Sequence, residues 1–204
     1  MNEEHQMLTA SEQGRREGEW IQTFTGKQFW PLDPRPEDFD IQDIAHALSN
    51  VCRFTGHCTS FYSVAQHSVS VARSLPPKLQ LQGLLHDGSE AYLCDVARPV
   101  KPLLRGYKAI ERGVSLQLNR AFGLPDSLHE LVKARDNAIL ADEAAALMNT
   151  PPAPWAFYAE PLGIDIDPLP PLAARSAFLQ AFYTLRNGGV LTPNIQITSE
   201  RYSR

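Results

Sequence analysis

Leu81-Gln82-Gly83-Leu84-Leu85-His86-Asp87-Gly88-Ser89-Glu90-Ala91-Tyr92 is the stretch on which the reading of this chain turns. Leu81, Leu84, Leu85, Gly88 and Tyr92 recur at i, i+3, i+4, i+7 and i+11, the spacing of an apolar stripe along one side of a helix. His86, Asp87 and Glu90 are separated by one, three and four residues, so they form one neighbouring polar patch. A single ion could take an imidazole nitrogen and a carboxylate oxygen from that turn. The pattern predicts a helix that starts at Pro76-Pro77, runs to about Leu93, and carries chemistry beside its packing face.

Working outward, the same periodicity predicts further helices. Asp40 is placed to cap one through Cys52, with Ile44, Ala45, Leu48 and Val51 on its stripe. Another spans about Phe61 to Leu75. It sets His67 between Val64 and Val71 on one side and Ser63, Ser70 and Ser74 on the other, small residues that leave room for an ion and a ligand. A loop from Asp95 to Pro102 leads to a helix ending near Phe122-Gly123. Asp126 or Ser127 is placed to cap the next, which reaches Met148. A last helix covers about Leu172 to Arg186. Between these two, residues 149–171 hold seven prolines and Trp155, the composition of an irregular packed strap. Near the start, aromatic and β-branched residues from Trp20 to Trp30 flank Thr25-Gly26-Lys27 and predict a small β-hairpin. The expected fold is an all-α helical bundle with that hairpin at its N-terminal end. It forms a single domain over residues 20–186, after a flexible leader (1–19) and before a loosely held tail (187–204).

The helix before Met148 gives a sharper geometric result. At 100° per residue, Val132, Ile139, Leu140 and Leu147 all fall within about 60° of Asp136. Asp136 is thus central to an apolar face, where a carboxylate is costly unless it is paired or binds a metal. Asp142 points about 120° away and is expected to reach water. Asp136 is therefore the expected ligand and Asp142 the runner-up. Two imidazoles and two carboxylates from three helices suit Zn, Mn, Co or Fe(II) better than Ca, and leave positions for water and a phosphate oxygen. Taken singly, each has an ordinary explanation. His67 can be a core histidine, His86-Asp87 a structural pair, and Asp136 the partner of Arg135 or a nearby lysine.

The bulk composition bounds the function. The chain has 204 residues, 43% of them apolar, enough for one domain with a real core. A formal net charge of -4 argues against a broad basic surface for duplex nucleic acid, while leaving a small anionic substrate open. The three cysteines, Cys52, Cys58 and Cys94, lack a C-x-x-C pairing and read as reduced thiols of a cytoplasmic protein. No stretch has the length of a transmembrane helix, so no membrane partner is expected.

Several ordered motifs resemble one family. They are Arg53-Phe-Thr-Gly-His57, Ser63-Val-Ala-Gln-His67-Ser-Val, Leu84-Leu-His-Asp87-Gly-Ser-Glu90-Ala-Tyr, Asp95-Val-Ala-Arg-Pro-Val-Lys101 and Val132-Lys-Ala-Arg-Asp136. Together they resemble the HD-domain metal-dependent phosphohydrolases, in the branch of bacterial 5'-deoxynucleotidases and viral dATP triphosphohydrolases, over about residues 20–148. The resemblance implies an HD-domain helical bundle with His67, His86, Asp87 and Asp136 as metal ligands. It implies that Glu90 and Asp95 position the attacking water or hold a second Mg or Mn on a polyphosphate. It implies that Arg53 and Lys101 bind phosphate and that Phe54 meets the sugar or base. Gly88 after His86-Asp87, with no extra histidines, departs from the two-metal cyclic-dinucleotide branch.

The resulting expectation is a hydrolase of deoxynucleoside 5'-monophosphates or of a triphosphate such as dATP, forming a homo-oligomer as its relatives do. The alternative is a catalytically silent nucleotide-sensing or scaffold protein of the same fold.

Overall fold

The computed structural model describes residues 16–155 and 159–193. The hairpin is present: β1 (Ile21–Gln22) pairs antiparallel with β2 (Gln28–Phe29), and Gly26 at φ 85° supplies the left-handed turn position. Helix α1 (Ile41–Asn50) is capped by Asp40, whose side chain accepts from the Gln42 N–H. Helix α2 (Val64–Arg73) is capped by Ser63, which accepts from the Gln66 N–H. Then follow α3 (Pro77–Leu85), the single turn α4 (Glu90–Leu93), α5 (Tyr107–Phe122), α6 (Glu130–Leu147) and α7 (Pro171–Arg186). The described residues are therefore predominantly helical, with one small two-stranded sheet.

The core forms where α1, α2 and α7 pack on one another, with α3 against α2 and α7. Ile44, Leu48, Val64, Leu84 and Phe178 are fully buried there. Each such side chain contributes about 1.5–3 kcal/mol relative to exposure. A second cluster, Val71, Leu75, Val132, Ile139 and Ile164, joins α2 to α6 and to the proline-rich strap. None of the helices is long and apolar enough to cross a membrane among the described residues.

Two local expectations are corrected, at the end of α3 and at the cap of α6. The helix predicted from Pro77 to Leu93 is broken at residues 86–89 into turns. There Gly88 N–H bonds Leu85 O and Glu90 N–H bonds Asp87 O, tightening the path to a three-residue spacing. Gly88 permits this, because a Cβ there would sit 2.6 Å from Leu118 Cδ1 of α5. The cap of α6 is His129, not Asp126 or Ser127. Buried Gln82 donates to Ser127 O and accepts from His129 N–H, holding residues 127–129 off the helix, and His129 Nδ1 accepts from Leu131 N–H. The leader lies largely outside the described residues, but Arg16 is anchored. It donates to Asp33 O at 2.8 Å and pairs with the Asp38 carboxylate. The tail is held at least as far as Leu191, whose backbone N–H and C=O both bond the Gln80 amide at 2.8 Å.

Candidate metal centre

The site lies where the break after α3 faces α2 and α6. His67 occupies the middle of α2 and is fully buried. Its Nδ1 lies 2.6 Å from Glu143 Oε1 on α6. A carboxylate can only accept, so Nδ1 carries the proton and Nε2 is turned the other way. His86 repeats the arrangement: its Nδ1 lies 2.8 Å from Gly83 O, which also only accepts, and its Nε2 is turned toward Asp87. The two rings stand 5.3 Å apart between centroids.

Two carboxylates close the group. Asp87 Oδ2 lies 3.1 Å from His86 Nε2 and 3.6 Å from His67 Nε2. Asp136 Oδ1 lies 3.2 Å from His67 Nε2 and 3.9 Å from His86 Nε2. His67, His86 and Asp87 each offer a ligand atom within 4.8 Å of the others, a group that could hold a metal ion. Both Nε2 atoms are buried, yet neither makes a hydrogen bond among the described residues. The carboxylates approach at ion-pair distance without hydrogen-bond geometry. Buried polar atoms are rarely left so, and two imidazole nitrogens fixed by acceptors behind them are how a protein presents histidine to a metal. The donor set fits a divalent transition ion.

Asp136, on the apolar face of α6, lies within ion-pair distance of both Nε2 atoms beside the group. Asp142 does not, but the expectation that it reaches water is corrected. It is buried, and its two oxygens accept the Leu162 and Gly163 N–H groups at 2.9 Å each. The strap covers the second side of α6, so the position that looked like a solvated face pins the strap.

Glu143 is the residue that sequence reasoning missed. It is fully buried, holding His67 with Oε1 and Arg53 with Oε2, at 3.2 Å to Nε and 2.9 Å to Nη2. The signal was present: Glu143 is seven residues past Asp136, 20° from it on the same apolar face. Two acids share that face, Asp136 beside the imidazole Nε2 atoms and Glu143 behind His67.

Arg53 thus gives two of its nitrogens to Glu143, and its Nη1 lies 3.8 Å from Asp95. Phe54 follows it in a left-handed conformation, φ 53°, as does Thr55 at φ 55°. Strain of this kind on non-glycine residues gathers at functional sites. The Phe54 ring stands 5.6 Å from the Arg53 guanidinium and 6.2 Å from Trp155 of the strap. Beside the ligand group, a cavity of about 290 Å³ is lined by His86, Asp87, Ser89, Glu90, Lys101, Lys108, Glu111, Arg112 and Ser115. Lys101 pairs with Glu111 at 2.5 Å. Glu90 Oε2 is buried without a hydrogen-bond partner.

With this geometry established, likeness to other proteins can be weighed. The chain is similar to YfdR of Escherichia coli (strain K12), 41% identical over 124 residues that cover 61% of this chain and 70% of YfdR. It is also similar to RCAP_rcc00048 of Rhodobacter capsulatus, 34% identical over 186 residues, 81% of this chain and 95% of that protein. The chain belongs to their family. Both relatives are described as uncharacterized proteins, so they bring no activity with them, and no family model matches the chain.

In this member of the family the charges are strongly coupled. Burial and the Arg53 charge both oppose a protonated His67, yet Glu143 and Asp136 lift its pKa to about 9. His86 is likewise raised, against burial, by Asp87 and Asp136. Burial disfavours the charge on Asp87, but His86, His67 and Arg53 hold it well below the usual carboxylate range. Glu143 is lowered by His67 and Arg53 against its burial. Glu90 goes the other way: burial, then Asp87 and Asp95, push it well above a normal glutamate. Asp95 is also raised, mainly by burial. The site sets Asp87, Asp136 and Glu143, whose ionised forms are favoured by nearby positive charge, against Glu90 and Asp95, whose burial favours the neutral form.

Proposed function

We propose that this chain is an HD-type, metal-dependent phosphohydrolase that removes phosphate from (deoxy)nucleotides, either deoxynucleoside 5'-monophosphates or a triphosphate such as dATP. The observation that carries the proposal is the pair of buried imidazole Nε2 atoms, each fixed by an acceptor at its Nδ1, converging with Asp87 and Asp136 beside a cavity that carries cations. His67, His86, Asp87 and Asp136 are the proposed ligands. A divalent transition ion held there supplies Lewis acidity toward a phosphoryl oxygen and acidifies water.

The chain's own residues do the rest. Glu90, a stronger base than an ordinary glutamate because burial raises its pKa, accepts in its ionised form a proton at Oε2 from water on the cavity side. Asp95 orients that water and steers Arg53 Nη1. Nη1 and Lys101 neutralise charge on phosphate oxygens. Phe54 offers a ring face to the sugar or base, a contact that discriminates bases poorly. The three free thiols suit a cytoplasmic enzyme. Exposed Trp20, Ile21 and Phe24 around the hairpin supply apolar surface for a homo-oligomer.

The test is phosphate release from a panel of nucleoside mono-, di- and triphosphates, with Mn, Co, Zn and Fe(II) each supplied in turn. Turnover of deoxynucleotides that Asp136→Ala abolishes is the expected result. Tight nucleotide binding without any product would instead identify a silent sensor, and silence in both assays would remove the nucleotide reading.

A further inference from the structure

The wall of the cavity opposite the ligand group has no role in the chemistry above. Lys108 and Arg112 lie four residues apart on α5, hence on one face, and both line the cavity together with Ser115 one turn further on. Lys101 enters from the preceding loop and is tied to Glu111. On the facing side stand His86 and Asp87 of the ligand group, with buried Glu90 between, its Oε2 unpartnered. A volume of about 290 Å³ is many times the roughly 10–15 Å³ that admits a single water. Two cations on one helical face, lining the same cavity as the ligand group, match a chain of phosphates.

We propose that Lys108 and Arg112 form a polyphosphate subsite, which makes nucleoside triphosphates the preferred substrate class. This rests on the reading of the ligand group as the place where phosphate is cleaved. The two cations grip the phosphates that are not at the ligands, and Lys101 with Glu111 sets the floor between. Specificity for phosphate number then resides on α5, apart from any contact with the base.

The test uses the full chain in two assays. In calorimetry at low salt without added metal, inorganic tripolyphosphate is titrated against orthophosphate. Tripolyphosphate is expected to bind at least about ten-fold tighter, since charge-assisted contacts are the strong ones. The double variant Lys108→Ala/Arg112→Ala is expected to erase that preference. The charge-preserving Lys108→Arg/Arg112→Lys is expected to keep it, and Lys78→Ala, outside the cavity, to bind as the natural chain does. Equal affinity for the two anions, or a preference that survives the double alanine variant or is lost in Lys78→Ala, overturns the subsite.

In kinetics, the ratio of kcat/KM for dATP over dAMP is expected to fall at least about ten-fold in the double alanine variant. Turnover with an unchanged ratio overturns the subsite while leaving the phosphohydrolase reading intact. Loss of tripolyphosphate preference without turnover of any nucleotide keeps the anion site and removes the enzymatic reading.

Discussion

Replacing Glu143 by glutamine separates holding the fold from holding a metal. In the native arrangement one carboxylate oxygen accepts from His67 Nδ1 and the other accepts from both Nε and Nη2 of Arg53. An amide has one oxygen and one N–H₂ group. Whichever way it is turned, its N–H₂ faces a donor, either the His67 Nδ1–H or the Arg53 guanidinium, and the negative charge between two buried cationic groups is gone. Glu143 is fully buried and the Arg53 side chain is 11% exposed, so water does not rescue the orphaned donor. Breaking a buried pair by removing one partner costs about 3–5 kcal/mol. For Glu143→Gln that whole range is expected as lost stability, measured by urea unfolding of the metal-free protein. The second consequence is specific to the proposed centre. With His67 no longer held in one tautomer by a carboxylate, Mn or Zn affinity is expected to fall about 10–100-fold, read by calorimetry under conditions where the variant is folded. The comparison is Asp142→Asn, which perturbs a neighbouring buried carboxylate and should lower stability without changing metal affinity. A Glu143→Gln protein that is destabilised yet binds metal as tightly as the natural chain would refute the reasoning, and Glu143 would then be a structural acid alone.

Four further outcomes follow from the same geometry. Asp136→Ala should abolish stoichiometric metal content, measured by elemental analysis. Asp142→Ala should retain it while losing about 0.5–1.5 kcal/mol for each of the two strap hydrogen bonds, whose Leu162 and Gly163 donors are at most partly buried, a loss read from the shift in unfolding midpoint. His67 has its folded pKa raised from 6.5 to about 9. Its stabilising contribution to the metal-free protein is therefore complete below pH 6.5 and is lost as pH rises to about 9, on the order of 3 kcal/mol. Urea midpoints that stay flat across that window would contradict it. Gly88→Ala should unsettle the His86–Asp87 turn, because the added Cβ meets Leu118 Cδ1 at 2.6 Å and Leu85 O at 3.0 Å. Weaker metal binding together with lower thermal stability is expected, and an unaffected variant would show that the turn tolerates a side chain.

What could be read from the sequence divides along physical lines. Helices with one packing face were legible, since apolar periodicity and local caps such as Asp40 and Ser63 act within a few residues. The direction of Asp136, toward the two imidazoles, was legible for the same reason, since an acid in an apolar stripe has a computable direction. The break at residues 86–89 was not, because it depends on Leu118, far along the chain, pressing on Gly88. The true start of α6 was hidden likewise, since Gln82 on another helix holds residues 127–129 extended. Asp142 misled because α6 is covered on two sides, by α2 and by the strap, so an acid off the main stripe is buried rather than wet. Glu143 was legible in angle and was passed over because it lay one residue from a competing acid.

The charges around His67 explain why the centre is organised through α6. Asp87, Asp136 and Glu143 are all held ionised within a small volume, and Arg53 is committed to Glu143. Like-charged carboxylates this close repel unless positive charge stands between them. In the metal-free protein that charge is a proton on His67, which is why its pKa rises although burial and Arg53 both oppose it. A divalent cation at Nε2 would displace the proton and add one further charge toward Asp87 and Asp136. Binding at pH 7–8 should therefore release about one proton from His67 per metal, together with any that His86 holds. Calorimetric heats measured in two buffers of different ionisation enthalpy give that number directly. Should no proton leave, His67 would not be a ligand, and its bond to Glu143 would be a buried ion pair and nothing more.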